Sequence, residues 1–160
     1  MATEKLKFKL ELYATMWDRP PHADILVGDV SHFKGEITGT ENNPDIIEFE
    51  SELEENKDYS LLINRSGKSN KQTIINENGD ILKDQLLHIK SIEIDEIDLG
   101  GLVFEGVYKP VYLEPWATQQ RESGNELPKT SKNVTRMGHN GEWRLNFTSP
   151  FYMWLLENLY

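Results

Sequence analysis

Four acids crowd one stretch of the chain, Glu93, Asp95, Glu96 and Asp98. Carboxylates at a strand bend suit calcium, a hard cation that takes about six to eight oxygen ligands from flexible backbone and acidic side chains. The competing reading is a solvated acidic edge that deters edge-to-edge pairing. The spacing matches no EF-hand loop, and with 27 acids in the chain some clustering arises by chance. A pair of carboxylates at fixed separation would also serve glycoside hydrolysis, but no particular pair stands out.

Aromatic rings form the second set. Exposed rings stack on the apolar faces of sugars, whereas buried ones pack cores or dock partners. Trp143 and Trp154 lie in apolar patterns and read as packing residues. Trp17 and Trp116 stand beside prolines in loops, where functional exposed side chains concentrate. With Tyr112 they are the candidate sugar-binding residues. The four histidines, His22, His32, His88 and His139, show no ligand spacing and read as surface or satisfied core residues, with His139 the least constrained in its Gly-His-Asn-Gly turn. Gly67-Lys68-Ser69 hints at a phosphate loop, but that pattern needs glycine at position 62, where Leu62 stands. No Gly-x-Ser-x-Gly elbow is present. The chain therefore shows no catalytic machinery, and the residues point to a protein that is not an enzyme.

Composition narrows the partners. A net charge of −10 over 160 residues repels phosphate backbones, which excludes nucleic acid. There is no cysteine, hence no disulfide or thiol chemistry. No apolar run approaches the roughly 20 residues of a membrane span, and the start, MATEKLKFK, lacks the apolar region of a signal peptide. Synthesis and folding in a cytoplasm, or in a virion assembled there, is the expectation.

The elements that must position these residues are mostly strands. Leu6, Phe8, Leu10 and Leu12 alternate with Lys5, Lys7, Lys9 and Glu11, which marks a half-buried strand from Lys5 to Trp17, ended by Pro20-Pro21. Ala23–Val27 and Val30–Ile37 form a hairpin through Gly28-Asp29, with glycine placed for a type II′ turn. Ile46–Leu53 and Tyr59–Asn64 pair across Glu55–Asp58. Arg65–Lys71 reads as a flexible, solvated loop. Thr73–Asn76 and Ile81–Leu82 pair through Asn78-Gly79.

The stretch Leu86–Leu102 has apolar spacings of two, three, two, three, two, which no helix stripe satisfies. A strand that flips face at Lys90-Ser91 and Asp95-Glu96, by bulges or bends, does. Val103–Val107 reads as another strand. Tyr108–Lys132 has little periodicity, a short helix over Ala117–Ser123, and a length that implies function or docking on the body. Val134–Met137 and Trp143–Phe147 form a last hairpin through Asn140-Gly141. Ser149 caps and Pro150 starts a final helix that is apolar nearly all round and must be buried against the sandwich or a partner. These elements predict a mainly β protein: a jelly-roll β-sandwich with a long irregular segment and a short C-terminal helix. A single domain over 1–160 is expected, with a sandwich core at 4–108 and an extension at 109–160.

Three segments, ADILVGDVSHF (23–33), IIEFESELEENKDYSLLINRSGK (46–68) and GDILKDQLLHIKSIEID (79–95), resemble the strand pairs of jelly-roll carbohydrate-binding domains. The whole chain, through VYKPVYLEPWATQQ, MGHNGEW and FTSPFYMWLLENLY, resembles uncharacterised proteins of tailed phages of cyanobacteria and other marine bacteria. The resemblance implies a virion-associated structural or attachment module with no enzyme activity. Its implied partners are other phage structural proteins or a cell-surface glycan. It carries over no site residues. The alternatives are a glycan-binding module, calcium-dependent or not, and a glycoside hydrolase. No cofactor is required, and calcium at the acidic bend is the one such ligand the sequence suggests.

Overall fold

The computed structural model describes residues 2–69, 74–75, 77–78 and 81–159. The first strand, β1 (Thr3–Thr15), buries Leu6, Phe8, Leu10 and Leu12, as its alternation requires. It is followed by β2 (His22–Val27), β3 (Val30–Glu36), β4 (Asp45–Glu54) and β5 (Lys57–Ser66). Next come the short β6 (Ile74–Ile75) and β7 (Ile81–Lys83), then β8 (Leu86–Ile94) and β9 (Ile97–Asp98). A 3-10 helix (Gly100–Glu105) leads to β10 (Val107–Val111) and α1 (Trp116–Glu122). The chain closes with β11 (Ser131–Lys132), β12 (Arg136–Met137), β13 (Asn140–Ser149) and α2 (Phe151–Leu159).

Among the described residues these strands make two large antiparallel sheets and a small two-stranded one, β6-β7. The first runs β12-β8-β1-β4, with β9 on β8; the second runs β11-β10-β13-β5-β2-β3. Their inner faces meet in one core, where the β1 residues face Ile25, Leu61, Ile63, Trp143, Leu145 and Phe147. The fold is the expected β-sandwich with a short C-terminal helix. Residues 109–160 are not peripheral to it, because β13 lies between β10 and β5 and supplies the fully buried Trp143. On the outer face of the first sheet Lys5, Lys7 and Lys9 stand opposite Glu52, Glu50 and Glu48, a solvated ladder of opposite charges.

Several local expectations are corrected. At Gly28-Asp29 both residues have positive φ (59° and 65°), the signature of a type I′ rather than a type II′ turn. The flip at Lys90-Ser91 is a β-bulge: Glu11 pairs with Ser91 and Leu12 with Ile89, leaving Lys90 over. The flip at Asp95-Glu96 is a hairpin turn between β8 and β9, both residues again at positive φ. Val103–Val107 is not a strand, since the 3-10 helix runs to Glu105 and β10 starts at Val107. The last predicted hairpin does not exist: β12 pairs with β8 in the first sheet, while β13 begins at Asn140 and pairs with β5 and β10 in the second. Gly138-His139 therefore crosses between sheets. Helix α2 starts one residue after Pro150 and is capped from afar, because Glu4 Oε2 accepts the Phe151 N–H (2.8 Å) and the Ser149 hydroxyl. Its Phe151, Trp154 and Leu155 are buried, and its Tyr152, Met153 and Leu156 are exposed. The Ile74–Lys83 pairing matches the expected hairpin, though Thr73, Asn76 and Gly79 fall outside the described residues.

Candidate functional site

The registers bring five strand ends to one end of the sandwich: Thr15 of β1 meets Leu86 of β8, Arg65 of β5 meets Gly141 of β13, and Val111 of β10 meets Asn140. Of the run Arg65–Lys71 expected to be a solvated loop, Arg65 and Ser66 belong to β5, residues 70–71 fall outside the described residues, and two of the side chains are not solvated. Arg65 is only 1% exposed and the Lys68 side chain only 6%. Burying two cations requires partners, because an unpaired charge loses several kcal/mol of hydration. The partners are present. Arg65 donates to Asn140 Oδ1 (2.9 Å) and to the Gln85 carbonyl (2.8 Å). Lys68 Nζ lies 2.8 Å from Asp84 Oδ1 and donates to the Gly138 carbonyl. Asn140 holds the Lys68 peptide from both sides, accepting its N–H (3.0 Å) and donating to its carbonyl (2.9 Å). Gln85, fully buried, donates to the carbonyls of Arg19 (2.9 Å) and Gly67 (3.3 Å). Burial lowers Arg65 to about 10 and lowers Lys68 as well, against the pull of Asp84.

Over this floor opens a cleft of about 490 Å³, lined among others by Asp84, Tyr108, Tyr112, Arg136 and His139. The crossing segment 138–139 puts His139 against two rings. Tyr112 meets it edge-on at 4.8 Å, and Trp116, at the start of α1, lies 5.3 Å away. Tyr112 and Trp116 are 6.0 Å apart. The backbone of His139 is fixed by Tyr108, whose hydroxyl accepts the His139 N–H (3.0 Å) and donates to its carbonyl. Tyr112 is fixed by donation to the Pro128 carbonyl (2.5 Å). The irregular segment is thus pinned to the body, as its length implied. Burial is the main cause that brings the His139 imidazole down to about 4; Lys68 and Arg65 push the same way and Asp84 opposes them. Burial raises Tyr108 to about 12. The site is preformed: Tyr112 and a neutral imidazole line a cleft with charged groups at its base and rim, and the partly exposed Trp116 packs against both.

Of the candidates named from sequence, Tyr112 and Trp116 are brought together. Trp17 lies at the same end of the sandwich, 36% exposed, with Lys83 Nζ 3.5 Å from its ring centroid. It does not line the cleft. Trp143 and Trp154 are core residues, as expected. The acids Glu93, Asp95, Glu96 and Asp98 sit at the opposite end of β8. Asp95 accepts the Lys7 N–H (2.8 Å) and Asp98 the Gly100 N–H (2.8 Å), so both carboxylates latch turns. Among the described residues no group of three or more His, Cys, Asp or Glu side chains could hold a metal ion.

His139 is the functional candidate that sequence reasoning missed. A Gly-His-Asn-Gly run looks like an exposed turn, and only the assignment of its flanking strands to different sheets reveals the crossing. A larger hollow of about 590 Å³ lies by Leu26, Leu62, Ser60, Arg144 and Asn146, but its rings, Tyr59, Phe147 and Trp154, are committed to the core. No helix among the described residues is long and apolar enough to cross a membrane.

No family model matches the chain, and no curated protein matches it. Two solved structures are similar. One is the selenomethionine form of the carbohydrate-binding module vCBM60, from a study of circular permutation linking two families of calcium-dependent carbohydrate-binding modules. It has a TM-score of 0.50 and 8% identity, over 87% of this chain and 88% of that one. The other is vCBM60 in complex with galactobiose, with a TM-score of 0.49 and 8% identity, over 86% of this chain and 95% of that one. The first likeness shows that the chain has the β-sandwich fold of a carbohydrate-binding module.

Proposed function

We propose that the chain is a non-catalytic glycan-binding module that holds a sugar against Tyr112 and Trp116, over His139. The observation that carries this reading is the pairing of these two rings, 6.0 Å apart, with Tyr112 lining a preformed cleft that holds hydrogen-bonding groups and Trp116 packed beside it. Rings fixed in advance give a sugar an apolar platform at small entropic cost. A hydrolase is disfavoured by the same cleft. Among the described residues its one lining carboxylate, Asp84, is bound to Lys68, and glycoside hydrolysis needs two acids flanking the bond. The structural neighbour is described as calcium-dependent, but the acids here are not gathered for a cation, so the reading routes nothing through calcium.

The test is binding to a broad glycan panel, with calcium and again with chelator, for the natural chain and Trp116→Ala. Sugar binding that survives chelator and falls about tenfold or more in the variant supports the reading. Binding unchanged by Trp116→Ala overturns the site. Binding abolished by chelator returns the acidic bend, Glu93, Asp95, Glu96 and Asp98, as the metal site.

A second reading, attachment to a phage particle, follows from the sequence resemblance. It is favoured by the outward strip of Tyr152, Met153 and Leu156 on α2, each about half exposed. The two roles are compatible, since α2 and the cleft lie at opposite ends of β13. Polar substitution of all three residues, followed by recovery of particles, separates them: loss of the protein from particles with intact sugar binding supports attachment.

A further inference from the structure

We infer that the cleft selects acidic glycans, with the Arg136 guanidinium receiving the carboxylate of a uronic acid unit. The inference rests on the glycan-binding reading and adds the chemical class of the sugar.

Arg136 lies on β12, opposite His88, and lines the same cleft as Tyr112 and His139. It is exposed, and among the described residues no carboxylate forms an ion pair with it, although the chain carries 27 acids against 17 lysines and arginines. Some other surface cations are matched, Lys5 with Glu50, Arg121 with Glu114 and Arg144 with Glu142, while Lys34 and Lys132, like Arg136, form no ion pair among the described residues. What sets the cleft apart is that its described residues gather Arg136, Arg65 and Lys68 around a single carboxylate, Asp84. Lys68 is taken up by Asp84, which leaves Arg65 beneath the floor and Arg136 on the rim without a second acid in the lining among the described residues. A strongly acidic protein has therefore kept a locally positive cleft, which favours an anion there over a neutral ligand.

The shape of the group refines the class. A guanidinium is a planar fork that fits a carboxylate through two parallel hydrogen bonds, geometry a lysine cannot reproduce. A uronic acid carries its carboxylate at the ring edge. A sugar ring lying on Trp116 or Tyr112 then projects that group sideways, towards the rim, rather than into the aromatic face. A neutral hexose would use the rings but leave the fork unmatched.

The experiment is calorimetric titration of the full chain with three probes: galacturonic acid oligomers, neutral galactose oligomers and sulfated galactose oligomers. Each is run for the natural protein, Trp116→Ala, Arg136→Gln and Arg136→Lys, with unfolding curves confirming that the exposed Arg136 variants fold. The expected result is binding of the uronate oligomer alone, weakened about tenfold or more by Arg136→Gln, only partly restored by Arg136→Lys, and weakened by added salt. Neutral oligomers bound as tightly, with Arg136→Gln silent and Trp116→Ala damaging, overturn the inference and leave the glycan reading standing. Sulfated oligomers bound as well as the uronate overturn the carboxylate assignment. Uronate binding lost in Arg136→Gln but intact in Trp116→Ala keeps the anion site and removes the aromatic platform. No binding of any probe overturns the inference.

Discussion

Lowering the pH should unlock the cleft through His139 before it unfolds the rest. The imidazole is packed against Tyr112 and Trp116 and is lowered from 6.5 to about 4, chiefly by burial. In the unfolded chain it takes up a proton near 6.5; in the native protein it refuses that proton until about 4. Below 6.5 the unfolded state thus binds more protons, and the stability owed to neutral His139 is fully present above 6.5 and drains away as the pH falls towards 4. A shift of that size is worth about 3 kcal/mol in full. The ring is partly open to solvent, which reduces it to about 1–2 kcal/mol.

The assay is urea unfolding of the natural protein and His139→Gln at about pH 7, 5.5 and 4. Other groups, including the lowered His32 and His88, titrate in both proteins and cancel in the difference. The natural protein should lose about 1–2 kcal/mol more than the variant between the two ends of the range. Curves that run parallel would refute the reasoning, because they would mean that the ring is hydrated and not held between Tyr112 and Trp116.

Three further outcomes follow from the geometry. In Gly106→Ala the new Cβ would sit 2.2 Å from Trp143 Cε2 and Cζ2 with backbone φ at an ordinary −62°; this purely steric clash should cost about 1–3 kcal/mol, lower the melting temperature and alter near-ultraviolet dichroism. Glu4→Ala removes the acceptor of the Phe151 N–H and Ser149 hydroxyl, so about 1–2 kcal/mol should be lost and α2 should become sensitive to protease while the sheets stay folded. Lys68→Met strips Asp84 of its cation and should cost about 3 kcal/mol, partly recovered when Asp84→Asn is added; simple additivity in that cycle would show that the pair is not coupled.

The sandwich was legible because period-two patterning is a local signal with a global consequence. Leu6 to Leu12 announce which face of β1 is buried, and Gly28-Asp29 and Glu55-Asn56 announce turns, whereas Asn140-Gly141 falls inside β13. The apolar spacing of 86–99 located both irregularities of β8, although composition could not say that one is a bulge and the other a turn. What stayed hidden depends on which sheet a strand joins. Val134–Met137 and Trp143–Phe147 look like hairpin partners because they are adjacent and alternating, yet β8 and β5 capture them separately. The same long-range choice buries Arg65 and Lys68, whose neighbours Asp84, Asn140 and Gln85 are distant in sequence. Two of the three rings of the aromatic site were visible as Tyr112 and Trp116; His139 was not, since its role exists only after the crossing forms. The acids of the bend were conspicuous by type, but their hydrogen bonds to Lys7 and Gly100 show them shaping turns.

The central claim, a sugar seated on Tyr112 and Trp116, is tested most directly by following the four tryptophan indole N–H resonances while a glycan identified on the panel is titrated in. The Trp116 indole and the His139 ring should shift together and saturate with the binding curve, while the buried Trp143 stays unmoved. A shift confined to Trp17, or to residues lining the hollow beside Ser60 and Asn146, would contradict it.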